Sequence, residues 1–315
     1  TMAARARVPT TESMINDHGF TSPPPTMHEL VSVQYQYHRR LFPALHDWER
    51  TERAILEFTE GSGPSGLLGL DQMGHFGPPG CDLVADAIRG ALPDSPLTFC
   101  ELGSGFGGAL RYIVDRLVAG GIPVSRAYGI DLVPEHCAAS RRISAKQGRS
   151  MIAEICASAT DVPLEDAALD AVIVTGSMPH FPRPDEVLRE AARMLRPGGL
   201  LVVTEEVSLT PGFDGPSRTF REVHPREVFF TTPVAERLDQ LRAAGFTSFT
   251  RRDLRDWAIA LIEDRLKLMR IFRGAGDKIY GKESVELILR TLATARDEYA
   301  TRRLLPVLLT ARAAE

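Results

Sequence analysis

The sequence predicts an α/β fold with a doubly wound, mostly parallel sheet. Apolar stretches that read as strands alternate with helical patterns from Leu97 to Thr204. The first strand runs into a glycine-rich turn at 103–108, and an amphipathic helix follows that turn. A final apolar stretch, 304–314, comes after two long helical patterns and adds a strand at the end. Such alternation is typical of βαβ units.

Composition narrows the class of protein. The chain has 315 residues and a formal net charge of −4, which gives no electrostatic reason to expect a nucleic-acid partner. Apolar runs stay short of the roughly 18 to 20 residues that cross a bilayer, and the first residues contain no signal-peptide core, so a cytoplasmic protein is predicted. Its four cysteines lack CxxC spacing and are predicted to be reduced core thiols. A homo-oligomer is compatible with this composition.

The N-terminal part is predicted to be separate from the α/β core. Residues 1–26 are expected to be mobile, because Pro23–Pro25 prevent a helix from starting earlier. Residues 27–70 are predicted to form a helical cap, divided at Pro43. Tyr37 lies in an aromatic and basic part of this cap, and it is predicted either to contact substrate or simply to pack the helix.

The glycine-rich turn is ambiguous by itself. Gly103, Gly105 and Gly108 fit the dinucleotide pattern GxGxxG, which leaves an NAD-dependent oxidoreductase open. Glu101 stands before the first glycine, where a carboxylate suits a cationic ligand better than a pyrophosphate.

Two motifs together carry a resemblance to a known family. ELGSGFG at 101–107 resembles the E/D-x-G-x-G-x-G motif of class I S-adenosylmethionine-dependent methyltransferases, and LRPGGLL at 195–201 resembles their turn before the fifth strand. The resemblance covers about 71–312 and is to small-molecule and natural-product enzymes of methyltransferase type 11, related to tocopherol, sterol and prenyl C-methyltransferases. It implies a Rossmann-like seven-stranded sheet with an antiparallel last strand at its edge. It also implies a core at 71–315 with lid segments at 208–230 and 255–300.

The resemblance implies S-adenosyl-L-methionine as cofactor. Matching the motifs residue by residue assigns the cofactor site to Glu101, Gly103, Ser104, Gly105, Asp131, Leu132, Ser158, Ala159 and Thr175. Asp131 ends the second strand and is expected to bind ribose. Ser158 departs from the family, which has an aspartate there.

A second segment, 71–77, resembles the D-Q-x-H-x-G-G pattern of a subset of these enzymes. The resemblance implies that Gln72 and Phe76 contact substrate, and that His75 either lines the active site or is structural. The Pro78-Pro79-Gly80 sequence that follows is a departure and leaves the local backbone open.

Three residues are candidate catalytic bases: His180, His75 and Glu205. His180 matches the histidine of an S-x-x-x-x-H-x-P pattern after the fourth strand, where an imidazole suits proton abstraction near neutral pH. A structural histidine at a helix start is the alternative. Glu205 and Glu206 end the fifth strand, and one of them is expected to act as a base or to bind a cationic substrate. No spacing of ligands predicts a metal site.

The segment 208–230 is predicted to be a substrate lid, in which Phe220 and His224 contact substrate. Its arginines, Arg218, Arg221 and Arg226, either bind a carboxylate or phosphate or form a solvated surface. The expected function is methyl transfer to a small apolar, aromatic or prenyl acceptor, such as a secondary metabolite, at C, O or N. The alternatives are a methyltransferase fold with a non-methylation activity such as cyclisation, the NAD-dependent oxidoreductase, and a non-enzymatic scaffold.

Overall fold

A twisted sheet forms the centre of the molecule. The structure is a computed structural model that describes residues 26–59, 69–92, 95–210 and 215–315. Its strands are β1 (Leu97–Leu102), β2 (Val124–Asp131), β3 (Ile152–Cys156), β4 (Leu169–Thr175), β5 (Leu195–Ser208), β6 (Thr232–Pro233), β7 (Phe246–Asp253) and β8 (Leu305–Ala313). The order is β3-β2-β1-β4-β5-β8-β7, and the two-residue β6 pairs with the end of β5. The first five strands are parallel, and β8 is antiparallel to both neighbours.

The helices cover both faces of the sheet and its carboxyl end. They are α1 (Met27–Leu41), α2 (Trp48–Phe58), α3 (Gly77–Ala91), α4 (Gly108–Ala119), α5 (Pro134–Lys146), α6 (Pro184–Met194), α7 (Arg218–Val223), α8 (Val234–Ala243), α9 (Arg255–Ile271), α10 (Arg273–Ile279) and α11 (Lys282–Ala300). Single 3₁₀ turns span Pro43–His46 and Met178–His180. None of the helices in the described ranges combines the length and apolarity needed to cross a membrane.

The predicted fold class is confirmed, but the last strand is not at the edge of the sheet. β8 lies between β5 and β7, so β7 forms that edge. Burial explains the difference: β8 is almost entirely buried, whereas β7 is exposed along most of its length. Only a strand flanked on both sides satisfies its backbone groups at such depth.

Two local features of the backbone have simple causes. Helix α3 starts at Gly77, so Pro78 and Pro79 lie in its first turn. Proline is well tolerated there because the first N–H groups of a helix have no intrahelical partner. Strand β5 begins at Leu195, and its pairing with β4 jumps from Leu195 to Leu200. Residues 196–199 bulge out between these pairs.

Three apolar clusters make up the core. One lies on each face of the sheet, and a third lies within the helical cap. The third cluster joins Leu41, Trp48 and Ile55 from the N-terminal helices to Ile262 and Tyr299 from α9 and α11. Helices from the N-terminal and the C-terminal parts of the chain therefore build the cap together. The packing of the cap places α1 over the carboxyl ends of the strands.

The N-terminal segment, the domain division and the cysteines were also predicted from the sequence. The mobile segment 1–26 lies outside the described residues except for Thr26, which caps α1 through a reciprocal bond with Glu29. The division into a cap at 27–70 and a core at 71–315 stays a prediction. All four cysteines are free, and three are buried. Cys156 is exposed because it ends the edge strand β3.

Candidate active site

One cavity of about 560 Å³ lies between the carboxyl ends of β1, β2 and β4 and the helical cap. It brings together most of the predicted site residues. Those that line it are Tyr37, Gln72, His75, Phe76, Glu101, Gly103, Ser104, Asp131, Leu132, Ser158, Ala159, Thr175, His180 and His224. Gly105, Glu205 and Phe220 do not line it.

Glu101 places a carboxyl group in the cavity near the end of β1. One of its carboxylate oxygens accepts a hydrogen bond from the Thr175 hydroxyl, and the other, Oε2, is buried without a partner. Burial, followed by repulsion from Glu154, raises the pKa of Glu101 well above its usual range. A buried, unpartnered carboxylate oxygen fits the ammonium group of an amino-acid ligand.

The glycine turn beside Glu101 packs so closely against neighbouring side chains that it has no space for side chains of its own. Gly103 has φ +73°, and a Cβ atom there would overlap Ser177. Gly105 has φ +54°, and a Cβ atom there would overlap the methyl group of Met73. Both positions require the left-handed backbone that glycine adopts without strain.

Asp131 holds this turn in place from the end of β2. Its Oδ2 accepts from the Gly105 amide at 2.8 Å, and its Oδ1 accepts from the Val133 amide at 2.9 Å. His136 Nδ1 lies 3.1 Å from Oδ1. Burial alone would raise the pKa of Asp131, but the hydrogen bond and charge of His136 and the two amides outweigh it and lower that pKa. Oδ1 already takes part in two of these bonds and Oδ2 in one, so a lone pair on Oδ2 remains for a ribose hydroxyl.

Sequence reasoning missed His136, although the residue lines the cavity. The only available signal was its position on the helix that follows Asp131. At the adenine end, Leu132, Ser158 and Ala159 lie together as predicted. The Ser158 hydroxyl lies 2.8 Å from the Thr160 hydroxyl and accepts from the Thr160 amide, so it is engaged in its own turn.

Gln72 supplies a buried donor near Glu101. Its Oε1 accepts from the Cys81 thiol at 3.4 Å, while its Nε2 is buried without a partner. An unpartnered amide donor and an unpartnered carboxylate acceptor in one cavity match a zwitterionic amino-acid group.

His75 and Glu206 form a polar pair that also lines the cavity. His75 Nδ1 lies 3.0 Å from Glu206 Oε1, which also accepts from the Tyr299 hydroxyl at 2.7 Å. Burial would raise the pKa of Glu206, but the hydrogen bond and charge of His75, together with Tyr299, lower it. Because an ionised carboxylate can only accept, His75 donates to it through Nδ1.

His180 and His224 face each other across Tyr37. His180 Nδ1 lies 2.6 Å from the Val228 carbonyl, which can only accept, so the lone pair is on Nε2. Burial lowers the pKa of His180 and lowers that of His224 still further, which keeps both rings neutral. The Tyr37 hydroxyl lies 2.8 Å from His224 Nδ1.

These rings belong to a longer series. Successive ring centroids 5.3 to 6.3 Å apart connect His46, His136, His38, His180, Tyr37, His224 and His75. Six of the eight histidines of the chain thus lie in one series of buried and half-buried rings, which sequence spacing gave no means to predict.

Glu205 is not placed as the sequence suggested. Its carboxylate is bound by the Arg237 guanidinium at 2.9 to 3.2 Å, and both side chains are buried. Successive side chains of a strand point to opposite faces, so Glu206 faces the cavity and Glu205 faces away. The structure therefore replaces Glu205 with Glu206 as the acid at the site.

The lid residues also differ from expectation. Phe220 packs beneath His224, with ring centroids 4.2 Å apart, and supports that ring from outside the cavity. None of Arg218, Arg221 and Arg226 lines the cavity. Arg221 instead donates to the backbone carbonyls of His224 and Phe229.

The sheet order, the antiparallel β8 and a glycine turn with an acid before it define the class I S-adenosylmethionine-dependent methyltransferase fold. Residues 100–203, about a third of the chain, match the family described as a methyltransferase domain.

Relatives support this assignment. A sarcosine/dimethylglycine N-methyltransferase from Halorhodospira halochloris is 29% identical over 165 residues, which are 52% of this chain and 51% of that protein. An erythromycin 3''-O-methyltransferase from Saccharopolyspora erythraea is 28% identical over 149 residues, or 42% of this chain and 46% of that one. The chain thus spans about half the length of these curated relatives.

A solved structure shows the same fold. Phosphoethanolamine N-methyltransferase 2 from Haemonchus contortus, in complex with phosphomonomethylethanolamine and S-adenosylhomocysteine, has a TM-score of 0.67 at 15% identity, covering 83% of this chain and 60% of that one.

Proposed function

We propose that this chain binds S-adenosyl-L-methionine and transfers its methyl group to a small, largely apolar acceptor at carbon, oxygen or nitrogen. The observation that carries this proposal is a single cavity that contains both the unpartnered Glu101 oxygen and the His75–Glu206 pair. A cofactor site and a proton-accepting site in one enclosed space are what methyl transfer to a protonated nucleophile requires.

The residues present fit the cofactor. In this proposal Glu101 binds the ammonium group, Gln72 Nε2 binds the carboxylate, and Gly103 and Ser104 contact the aliphatic carbons between these two groups. Gly105 shapes the turn through its bond to Asp131. Asp131 binds a ribose hydroxyl. Leu132, Ser158 and Ala159 frame the adenine, and Thr175 orients Glu101 through its hydrogen bond.

When bound, S-adenosylmethionine supplies an electrophilic methyl group on a sulfonium sulfur. The chain then has to orient the acceptor, exclude water and remove a proton. The cap, through α1, α9 and α11, covers the cavity and excludes water. His75 accepts the proton at Nε2, and the ionised Glu206 stabilises the imidazolium that results.

The acceptor half of the cavity is mostly apolar. Side chains of the cap line it: Leu30, Leu41, Phe42, Leu261, Met269, Tyr280, Ile288 and Leu292. Tyr37 and Phe76 add aromatic faces there. These surfaces support an aromatic or prenyl acceptor, including a secondary metabolite, better than a strongly hydrated one.

The test has two stages. Calorimetric titration with S-adenosylhomocysteine measures cofactor binding, with NADH as the competing ligand of the oxidoreductase alternative. A panel of phenols, amines and prenyl compounds is then incubated with S-adenosylmethionine, and products one methyl group heavier are sought by mass spectrometry. Binding of NADH but not of S-adenosylhomocysteine would contradict the proposal.

The same panel distinguishes methyl transfer from the alternative of a methyltransferase fold that catalyses a cyclisation. The [4+2]-cyclase SpnF has a TM-score of 0.56 at 22% identity and covers 74% of this chain and 80% of its own. A substrate that is consumed to an isomer, without release of S-adenosylhomocysteine, would favour cyclisation over methyl transfer.

A further inference from the structure

Arg265 is a cation that the cofactor site does not use. It lies on α9, lines the cavity and is partly buried. Its Nη1 donates to the backbone carbonyls of Gly74, at 3.1 Å, and of His75. Two carbonyls occupy the two N–H groups of Nη1, so Nε and Nη2 keep their donors.

The other charged groups that line the cavity have partners of opposite charge or hydrogen-bond donors. Asp71 pairs with Arg111, Arg183 with Glu186, Glu206 with His75, and Asp264 with Lys267. Asp131 and Glu101 accept the bonds described above. Within the described ranges, no carboxylate lies within 4.0 Å of the Arg265 guanidinium.

An unpaired guanidinium against an apolar wall is costly unless something neutralises it. Its neighbours on the cavity wall are Leu261, Met269 and Tyr280, and burial lowers the pKa of Arg265. The Tyr280 hydroxyl is already engaged with the Leu70 carbonyl. Two carbonyl oxygens supply hydrogen bonds but only partial charge, so the site lacks a counter-anion.

We propose that Arg265 binds an anionic group, a carboxylate or a phosphate, on the methyl acceptor. This rests on the proposed methyl transfer and specifies its substrate class: an otherwise apolar molecule with one anionic group. The planar fork of arginine binds such groups through two parallel hydrogen bonds.

The position of Arg265 also restricts where the anion lies. The guanidinium bonds the backbone of His75, and the ring of the same residue bonds Glu206. The anionic group and the proton-accepting nitrogen therefore flank a single residue. The methyl-accepting atom is then separated from the anionic group by only a few bonds.

The test compares matched probes on the full chain. 2-Naphthoate, 2-naphthyl phosphate and 2-naphthylmethanol are titrated by calorimetry, with and without saturating S-adenosylhomocysteine. We expect at least one anion to bind about tenfold more tightly than the alcohol, and the difference between naphthoate and phosphate identifies the group. Arg265→Met should remove this preference, and Arg265→Lys should keep part of it.

Matched controls make the result specific. Arg270→Met, at an exposed arginine on the same helix, should keep the full preference for the anion. If Arg265→Met is unfolded by circular dichroism, Arg265→Gln replaces it, since its amide still donates to the carbonyls without a charge. Equal binding or no binding of the three probes, or a preference that survives in the uncharged variant, overturns the proposal.

A cofactor carboxylate is the competing anion. Arg265→Met could weaken the binding of S-adenosylhomocysteine but not that of 5'-methylthioadenosine, which lacks the amino-acid group. That result would show that Arg265 binds the carboxylate of the cofactor, and it would overturn the proposal. Failure of the wild-type chain to bind S-adenosylhomocysteine contradicts the proposed methyl transfer instead, because the probe titrations without cofactor still measure the anion preference.

Discussion

His75 Nδ1 lies 3.0 Å from Glu206 Oε1, although 131 positions separate the two residues in the chain. The glutamate lies near the end of β5, and the histidine precedes α3. The pair therefore forms only when the segment before α3 folds over the carboxyl end of the sheet. The first two predictions follow from this contact.

His75→Gln should lower turnover by roughly 100- to 10,000-fold, because the glutamine still donates to Glu206 but has no nitrogen that accepts a proton. Turnover is measured as release of S-adenosylhomocysteine with an acceptor from the panel. His28→Gln, at an exposed histidine of α1, is the control and should behave like the wild type. A His75→Gln variant within threefold of wild type would remove His75 as the base.

His180→Gln is the matched comparison. Its amide can still donate to the Val228 carbonyl, so the local backbone is retained. Burial lowers the pKa of His180, which makes its ring a weaker base than an ordinary histidine, and we expect turnover to stay within about tenfold of wild type. A loss of more than 100-fold here, with little loss in His75→Gln, would assign the base to His180.

Glu101→Gln should weaken binding of S-adenosylhomocysteine by about tenfold, since a charge-assisted hydrogen bond is replaced by a neutral one. The pKa of Glu101 is raised in the ligand-free cavity, so the carboxyl is protonated below that pKa. Pairing with an ammonium group requires the ionised form, so binding releases a proton and tightens as pH rises.

The coupling between proton release and binding of S-adenosylhomocysteine can be measured directly. Calorimetry from about pH 6 to about pH 8, in buffers of different ionisation enthalpy, should show proton release for the wild type and for the exposed Glu57→Gln control. The release should disappear in Glu101→Gln. An identical pH dependence in both variants would show that Glu101 does not meet the ammonium group.

Arg237→Met should destabilise the fold by about 3 to 5 kcal/mol, because it leaves Glu205 buried without its counter-charge. Arg242→Met, on the same helix, breaks an exposed pair with Asp239 and should cost no more than about 1 kcal/mol. Urea denaturation measures both. Equal unfolding midpoints for the two variants would contradict the structural role of the Glu205–Arg237 pair.

Much of the fold was predictable because its signals are local. The β1 strand, its glycine turn and Glu101 lie within twelve residues, so periodicity and turn chemistry identify them without tertiary information. The cofactor half of the candidate site follows from these motifs. Asp131 was predictable for the same reason, since it ends an apolar strand.

The acceptor half was less predictable because it depends on contacts between distant segments. Tyr37 and His224, 187 positions apart, meet through the cap. The choice between Glu205 and Glu206 depends on which face of β5 meets the cavity, and both residues are buried. Arg265 is one of many arginines in charged helices. What distinguishes it in the described structure is a place on the cavity wall combined with the lack of an acidic partner.

The sequence by itself determined the class of fold and the cofactor motifs, because strand periodicity and glycine turns depend on neighbouring residues. Tertiary structure alone decided that β8 lies inside the sheet, that Glu206 pairs with His75, and that six histidines form one series of buried and half-buried rings. The physical reason is that burial, pairing and the loss of hydration arise only when distant segments pack together, and these three effects set the chemistry of the cavity.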